Sequence, residues 1–245
     1  MEKFISISQA SKKVLKIAKM SADLPVNVII FGQIGVGRKL LASEVLPNAQ
    51  AFEGRKLEKL ILDNKINLEE YNTIIIYNIN KVLNKNEFLS KLQGIKIVAT
   101  GFYEEQDYIN QFAVKIDILP LDERKEDLEA LTEIYIKEAS KIYASTKIPK
   151  NVKMDLTGNG ITLKQSIYKS ILLQSMNKYE VMDTLYDFFV RELKEERTYK
   201  TLLEVFEIPL LKASKKVYKS QLQTAKKLNI NRITLRKKLN KYFGG

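Results

Sequence analysis

The chain has 245 residues, of which 41 are Lys or Arg, 29 are Asp or Glu, and none is Cys or His. The missing residue types exclude disulfides, thiolate zinc sites, histidine general bases and histidine metal centres, so few catalytic chemistries remain. The sequence has no apolar run of about 18 residues and no secretory leader pattern, so we expect a cytoplasmic protein with no membrane partner.

The first half of the chain predicts alternating strands and helices. Residues 26–31 (VNVIIF) form an apolar run typical of a buried strand, and a glycine-rich turn follows it. Residues 73–77 and 95–100 predict two further strands, and residues 114–119 predict another. Continuous apolar runs are typical of parallel sheets, and helical segments between them indicate an α/β layered fold.

The glycine-rich turn nearly satisfies the P-loop pattern, in which backbone N–H groups hold phosphates and a lysine reaches the terminal ones. Arg38 stands at the lysine position, and Lys39 stands where a magnesium-binding hydroxyl is usual. Arginine is bulkier and less able to enter the loop as a compact charge, so local chemistry favours a tight turn without a ligand. An anion held by Arg38 and Lys39 remains the alternative. The vestigial nucleotide-binding residues are therefore Gly32, Gly35, Gly37, Arg38 and Lys39.

Residues 127 to about 193 are predicted to be wholly helical. We predict three domains. They are an α/β subdomain at 1–125, a helical subdomain at 126–194 and an all-α domain at 195–245.

The positive charge of the chain is concentrated near its end. Eleven of the 41 basic residues follow Pro209, where no Asp or Glu occurs. The preceding 208 residues have a net charge of only +1. Such asymmetry is typical of an element that binds a polyanion, and the interleaved apolar residues favour a folded element over a disordered basic tail.

Two short helices separated by a turn are predicted in the C-terminal segment. Asn231 is placed to cap the second helix, because its side-chain oxygen can accept from the first free N–H groups. The residues that recur at helical spacing, and are expected to face inward, are Leu222, Ala225, Leu228, Leu235, Leu239 and Tyr242.

The opposite face of the second helix predicts a DNA contact. A helix fits the major groove, where arginine pairs with a guanine edge, while flanking lysines meet phosphates. We assign Arg232 and Arg236 to bases or backbone. The residues assigned to phosphates are Lys226, Lys227, Lys237 and Lys238. The full candidate set is Lys226, Lys227, Asn231, Arg232, Thr234, Arg236, Lys237, Lys238 and Asn240.

The segment from Pro209 to Tyr242 resembles the Fis-type helix-turn-helix that ends NtrC-type enhancer-binding regulators, and INRITLRKKL is its most specific part. In that family the preceding helix, here about residues 198–217, pairs with its copy. The resemblance therefore implies a homodimer on double-stranded DNA.

Residues 8–174 resemble, in register, the AAA+ domain of the same family. The resemblance begins almost at the first residue, so we expect no separate receiver or ligand-sensing domain. The segment LTGNGITLKQSI is similar to the sensor segment, with Gly158 and Asn159 in place.

In the same register, several positions that carry catalytic residues in that family hold other residue types in this chain. The acidic motif that holds magnesium falls on Tyr77 and Asn78, and the sensor arginine falls on Ile161. YINQFAVKIDI contains no arginine at the finger positions. About 30 residues separate Lys39 from Thr73, where the family has a longer insert, and no GAFTGA-like segment is present.

These features predict a sequence-specific DNA-binding transcription regulator with an inactive AAA+-like domain, independent of sigma-54 and of ATP hydrolysis. We expect no enzymatic activity, cofactor or metal. RNA polymerase or another regulator is the further partner considered. Two alternatives stay open: a residual ATP-binding AAA+ protein, and an adaptor that modulates an intact enhancer-binding protein.

Overall fold

The structure is a computed structural model that describes residues 3–144 and 152–244. It contains two compact units. The N-terminal unit ends at Ser175, and the C-terminal unit begins at Met176. Within the described residues, no helix combines the length and hydropathy needed to cross a membrane.

The N-terminal unit is built on one parallel sheet of five strands in the order β2-β3-β4-β1-β5. The strands are β1 Val28–Gly32, β2 Gln50–Glu53, β3 Thr73–Tyr77, β4 Lys96–Thr100 and β5 Val114–Ile118. The four predicted strands and their parallel pairing are confirmed, with ends shifted by one or two residues. Strand β2 was not predicted.

Helices cover both faces of the sheet. The helices of this unit are α1 Gln9–Ala22, α2 Arg38–Val45, α3 Gly54–Leu62, α4 Lys85–Ser90, α5 Gln106–Ile109, α6 Lys125–Ile142 and α7 Asn159–Ser175. Successive residues of a strand point to opposite faces of the sheet and therefore into two different cores. Ile30 and Val98 pack with α1 and α2, whereas Ile29 and Ile97 pack with α3, α4 and α5.

A third core lies between α6 and α7. Leu163, Ile167 and Ile171 recur on one face of α7 and pack against Ala139 of α6 and Leu121. These residues are 0–1% exposed, so this helical part has a true interior of its own.

The N-terminal segment is tied to α6 by a buried carboxylate. Asp127 accepts hydrogen bonds from the backbone N–H of Ile7 (2.6 Å) and Ser8 (2.9 Å) and from the hydroxyls of Ser8 and Ser11. Arg124 completes the cluster with a 3.2 Å ion pair. Burial opposes the charge, but these hydrogen bonds outweigh it and hold the pKa of Asp127 below its ordinary value.

The C-terminal unit is entirely helical over its described residues. Its helices are α8 Lys178–Lys194, α9 Tyr199–Val217, α10 Gln221–Lys227 and α11 Arg232–Phe243. The predicted boundary at 194/195 differs from the observed division, because α8 contributes nothing to the core between α6 and α7 and has no buried residue. The helix expected at about 198–217 is confirmed as α9, with the Thr198 side chain as its cap.

Candidate functional site

The turn between α10 and α11 is held by two complementary caps. Asn229 adopts a left-handed φ of 51°, and Ile230 donates its N–H to the carbonyl of Ala225 at 3.1 Å. This is a Schellman arrangement, which satisfies the carbonyls at the end of a helix. Asn231 then starts α11 by accepting from the N–H of Ile233 at 2.8 Å, as predicted.

A small core holds the two helices against α9. Ala225, Leu235 and Leu239 are buried together with Leu211, and Tyr242 packs against them. The prediction that Leu222 faces inward is wrong, because its side chain is 63% exposed. Helix α10 packs through Thr224 and Ala225 instead, so the first turn of α10 extends beyond the core.

The C-terminal half of α11 is fixed to α9 by polar contacts. Lys238 forms an ion pair with Glu207, and the Tyr242 hydroxyl donates to the same carboxylate at 2.6 Å. These hydrogen bonds, the one from Lys238 first, lower the pKa of Glu207. Lys241 pairs with Glu204 at 3.1 Å. In the structure the ammonium group of Lys238 is thus paired with a carboxylate of the same unit, and its assignment to phosphate stays a prediction.

The N-terminal half of α11 presents a different surface. Arg232, Thr234, Arg236 and Lys237 are exposed there, and Asn240 is exposed in the second half of the helix. Lys226 and Lys227 of α10 are exposed as well, and Asn231 serves as the cap between them and α11.

Five cations of this surface are free of internal neutralisation. Within the described residues, none of Lys226, Lys227, Arg232, Arg236 and Lys237 takes part in an ion pair. The site is therefore an exposed, rigidly held cationic face beside a capped turn. Such a face suits an extended anion with many phosphates.

The glycine-rich loop in the N-terminal unit connects β1 to α2. Gly32, Gly35 and Gly37 all have left-handed φ values, of 143°, 77° and 105°. A Cβ atom on Gly35 would lie 2.1 Å from the carbonyl oxygen of Gly158, so only glycine fits there.

The start of α7 closes onto this loop. Gly160 donates its N–H to the Gly35 carbonyl at 3.1 Å, and the Asn159 amide donates to the Ile34 carbonyl at 2.9 Å. Asn159 also accepts from the N–H of Leu121 at 2.7 Å. Its buried side chain thus joins the loop, the segment before α6 and α7 by direct hydrogen bonds. Ile161, in place of the expected sensor arginine, is 49% exposed.

Arg38 does not point along the loop as a phosphate-binding lysine would. Its guanidinium donates to the carbonyl of Gly101, just after β4, and stacks on Phe102 with 4.1 Å between the guanidinium carbon and the ring centre. The side chain is buried, which lowers the pKa of Arg38. Arg38 is therefore a bridge between α2 and the end of β4.

Lys39 is also engaged by neighbouring side chains. Its ammonium pairs with Glu53 at 2.6 Å and lies 4.3 Å from the centre of the Tyr77 ring. The other oxygen of Glu53 accepts from the Asn78 amide at 2.8 Å. Burial opposes ionisation of Glu53, but the hydrogen bonds from Lys39 and Asn78 outweigh it and lower its pKa.

Glu53 is the residue that the sequence reasoning missed here. It ends β2, next to the acid-free end of β3, but its carboxylate is used by Lys39 and Asn78. Among the described residues, no group of three or more carboxylates forms a metal site. The carboxylate nearest the loop is therefore engaged by Lys39 and Asn78 in this structure.

A cleft of about 580 Å³ lies beside the loop. Arg38, Lys39, Lys81 and Lys164 line it together with Asn78, and none of the lining residues that the structure describes is a carboxylate. Two of these cations are partly neutralised, because Lys39 pairs with Glu53 and Lys164 pairs with Glu138 at 3.2 Å. The lining itself is basic, which suits an anion.

Comparisons with known proteins agree with this architecture. No protein-family model and no curated protein sequence matches the chain. Crystal structures of NtrX from Brucella abortus in complex with ATP and with ADP are each similar at TM-score 0.60 and 15% identity. They match 98% of this chain, and 69% and 68% of theirs. Domain III of the Thermotoga maritima replication initiation protein DnaA matches 76% of this chain and 96% of its own, at TM-score 0.50 and 16% identity.

The chain has an AAA+-like fold. At these identities the likeness concerns the fold alone. The expectation of an AAA+-like parallel-sheet domain is confirmed. The contacts of the glycine-rich loop and of α11 therefore have to be interpreted from this chain's own residues.

Proposed function

We propose that this protein is a sequence-specific DNA-binding transcription regulator whose AAA+-like domain works without ATP hydrolysis and without sigma-54. The observation that carries the proposal is the unpaired cationic face of α10 and α11. Helices α10 and α11 then act as a Fis-type helix-turn-helix, with the first half of α11 in the major groove.

The distribution of ion pairs supports this orientation. Glu204 and Glu207 pair with Lys241 and Lys238 in the second half of α11, whereas Arg232, Arg236 and Lys237 in its first half have no ion-pair partner among the described residues. Residues in the first turns of a recognition helix are those that reach base edges. This distribution supports the proposal that the first half of α11 enters the groove.

The test is a selection of duplexes from a random pool by the full-length protein, followed by titration of the selected sequence. The proposal predicts an enriched motif and nanomolar binding near physiological salt. Recovery of unenriched sequences with equal affinity for every duplex would contradict sequence-specific regulation.

We further propose that the regulator is a homodimer formed through α9. Tyr199, Phe206, Leu210 and Val217 recur at spacings of seven, four and seven residues and are 38–79% exposed. Leu211, on another side of α9, is buried against α11, so this apolar stripe is not used by the unit's own core. An exposed apolar helix stripe of this kind suits an identical helix.

Replacing Phe206 by Glu is expected to convert the dimer into a monomer, because a charge would be buried at the centre of the stripe. Sedimentation equilibrium without DNA measures the change. Lys216→Glu, on an exposed position outside the stripe, is the control and is expected to remain dimeric. If the Phe206→Glu protein sediments as a dimer like the control, the stripe is not the interface.

Absence of ATP hydrolysis is supported by the side chains at the loop. Arg38 is held by Gly101 and Phe102, and Lys39 is held by Glu53, so neither side chain is arranged around a γ-phosphate. We expect phosphate release from ATP at the rate of a protein-free blank, measured with the full chain at saturating ATP. Turnover that disappears in Gly35→Val would contradict the proposal.

A second candidate, nucleotide binding without turnover, is favoured by the basic cleft of about 580 Å³. Equilibrium titration with a fluorescent ATP analogue tests this candidate. Saturable micromolar binding that competes with ATP would support the second candidate. No binding at millimolar ATP would exclude it.

A further inference from the structure

Helix α1 has a basic face that the overall charge of the N-terminal unit conceals. Lys12, Lys13, Lys16 and Lys19 fall within its fourteen residues, which contain no Asp or Glu. All four lysines are exposed. The first acid after α1 is Asp23, at its C-cap. In this respect α1 resembles α10 and α11, which also contain several cations and no acid.

The orientation of this face is fixed by packing. Ala18 is fully buried in the core under β1 and β4, and Val14, Leu15 and Ile17 pack against the same core. The Ser8 side chain caps the first turn by accepting from the N–H of Ser11, which is buried. Because a helix turns by about 100° per residue, Lys12, Lys16 and Lys19 form one stripe on the solvent side.

The lysines of α1 are not balanced by neighbouring acids. Other cations of the N-terminal unit form ion pairs: Lys39 with Glu53, Arg55 with Glu58, Lys65 with Asp63 and Lys85 with Glu105. Within the part of the chain that the structure describes, no lysine of α1 does so. Like charges at spacings of three and four residues weaken a helix, so this arrangement does not serve the stability of α1.

We propose that the lysine face of α1 is a second contact for duplex DNA, made to phosphates outside the sequence that the C-terminal helices read. This proposal rests on the proposed DNA-binding function. Lys12 and Lys19 are separated by about 10 Å along the helix axis. Duplex DNA carries about one negative charge per 1.7 Å of its axis, so several phosphates lie within reach of such a stripe.

The apolar side of α1 favours DNA over a lipid surface. A helix that lies in a membrane interface inserts its apolar side chains between the lipids. In α1 those side chains are used by the core of the unit, and Met20, at 63% exposure, is the large apolar side chain of this helix that stays outside. The lysines are thus the main groups that α1 offers to a partner.

The test compares full-length wild type with a variant in which Lys12, Lys13, Lys16 and Lys19 are all replaced by Gln. The matched control replaces Lys56, Lys59, Lys65 and Lys91, which are exposed in or after α3 and α4, so it has the same net charge. The dissociation constant is measured between 50 and 200 mM salt on a duplex of about 50 base pairs that contains the selected site.

The proposal predicts that the slope of log affinity against log salt falls by about 2–3 in the α1 variant, at about 0.9 for each lost phosphate contact. The control should keep the wild-type slope. Sequence preference should not change, because phosphate contacts carry no sequence information. Arginine at the same four positions should restore the slope. This result would show that the Gln variant loses affinity through its missing charges and not through misfolding.

The failures of the two proposals are distinguishable. If wild type binds no duplex even in dilute salt, the DNA-binding function and the α1 contact are both overturned. If wild type binds the selected site and the α1 variant has the same slope as the control, the α1 contact alone is overturned. If instead the α1 variant loses only binding to vesicles of phosphatidylserine and phosphatidylcholine, the partner of α1 is a membrane surface.

Discussion

Replacing Asp127 by Asn is expected to lower the free energy of unfolding of the N-terminal unit by about 3–5 kcal/mol. The substitution keeps the side-chain volume but removes the charge that balances buried Arg124. It also places an amide among the donors of Ser8 and Ser11. Removing one partner of a buried pair leaves the other charge uncompensated, which costs much more than a surface ion pair contributes.

The effect is measured by denaturant unfolding, with hydrogen exchange of peptides from residues 3–22 and 121–142 reporting on this unit. Glu126→Gln is the matched control, because Glu126 is exposed beside Asp127 in the same turn of α6. The control should change stability by less than about 0.5 kcal/mol. Equal stability of the two variants would mean that the carboxylate does not hold the N-terminal segment to α6.

The lowered pKa of Asp127 also determines the direction in which the stability of the N-terminal unit changes with pH. A carboxylate with a lower pKa in the folded state contributes stability above its unfolded pKa of about 4, and this contribution is lost as the pH falls through the folded value. Wild type should therefore lose stability below about pH 4 more steeply than Asp127→Asn.

Replacing Arg236 by Ala is expected to weaken binding of the selected duplex by about 5- to 150-fold, which corresponds to about 1–3 kcal/mol for one bidentate base contact. Arg236 is exposed in the first half of α11, one residue after buried Leu235, and has no ion-pair partner among the described residues. The loss should be accompanied by relaxed preference at a single base position.

Lys237→Ala provides the comparison for that measurement. Lys237 is assigned to phosphate, so its loss should weaken all duplexes alike and reduce the salt slope by about 1. A repeated selection with each variant gives both the affinity and the preference. If Arg236→Ala keeps the wild-type affinity and motif, the groove-facing side of α11 has been assigned incorrectly.

The centre of the sheet could be predicted because β1, β3 and β4 are buried on both faces. Residues 73–77 lie inside the sheet and appear in the sequence as one apolar run. Strand β2 has four residues, QAFE, at the edge of the sheet, and none of them is fully buried. A strand with so little apolar content has no periodic signal of its own, so its pairing with β3 becomes visible only in three dimensions.

The features of the candidate site that depend on residues close together in the sequence could be predicted. The cap by Asn231 and the inward positions of Leu235 and Leu239 follow from local spacing and are confirmed. The partner of Lys238 is Glu207, 31 residues earlier, and only the packing of α9 on α11 brings them together.

In the N-terminal unit, too, contacts between residues far apart in the sequence could not be predicted. Glu53 and Asn78 are 25 residues apart and meet because β2 and β3 are adjacent. The basic face of α1 was missed for another reason. The net charge of the first 208 residues is only +1, because acidic residues elsewhere offset the four lysines of α1. The sum therefore does not reveal that these lysines are grouped.

The most direct test of the central claim is the affinity of the full-length protein for its selected duplex as a function of salt. The account predicts binding that weakens linearly on a log–log scale between 50 and 200 mM salt, at about 0.9 per phosphate contact, with a motif that survives the change in salt. No binding to any duplex at 50 mM salt, or binding that is independent of salt, would contradict it.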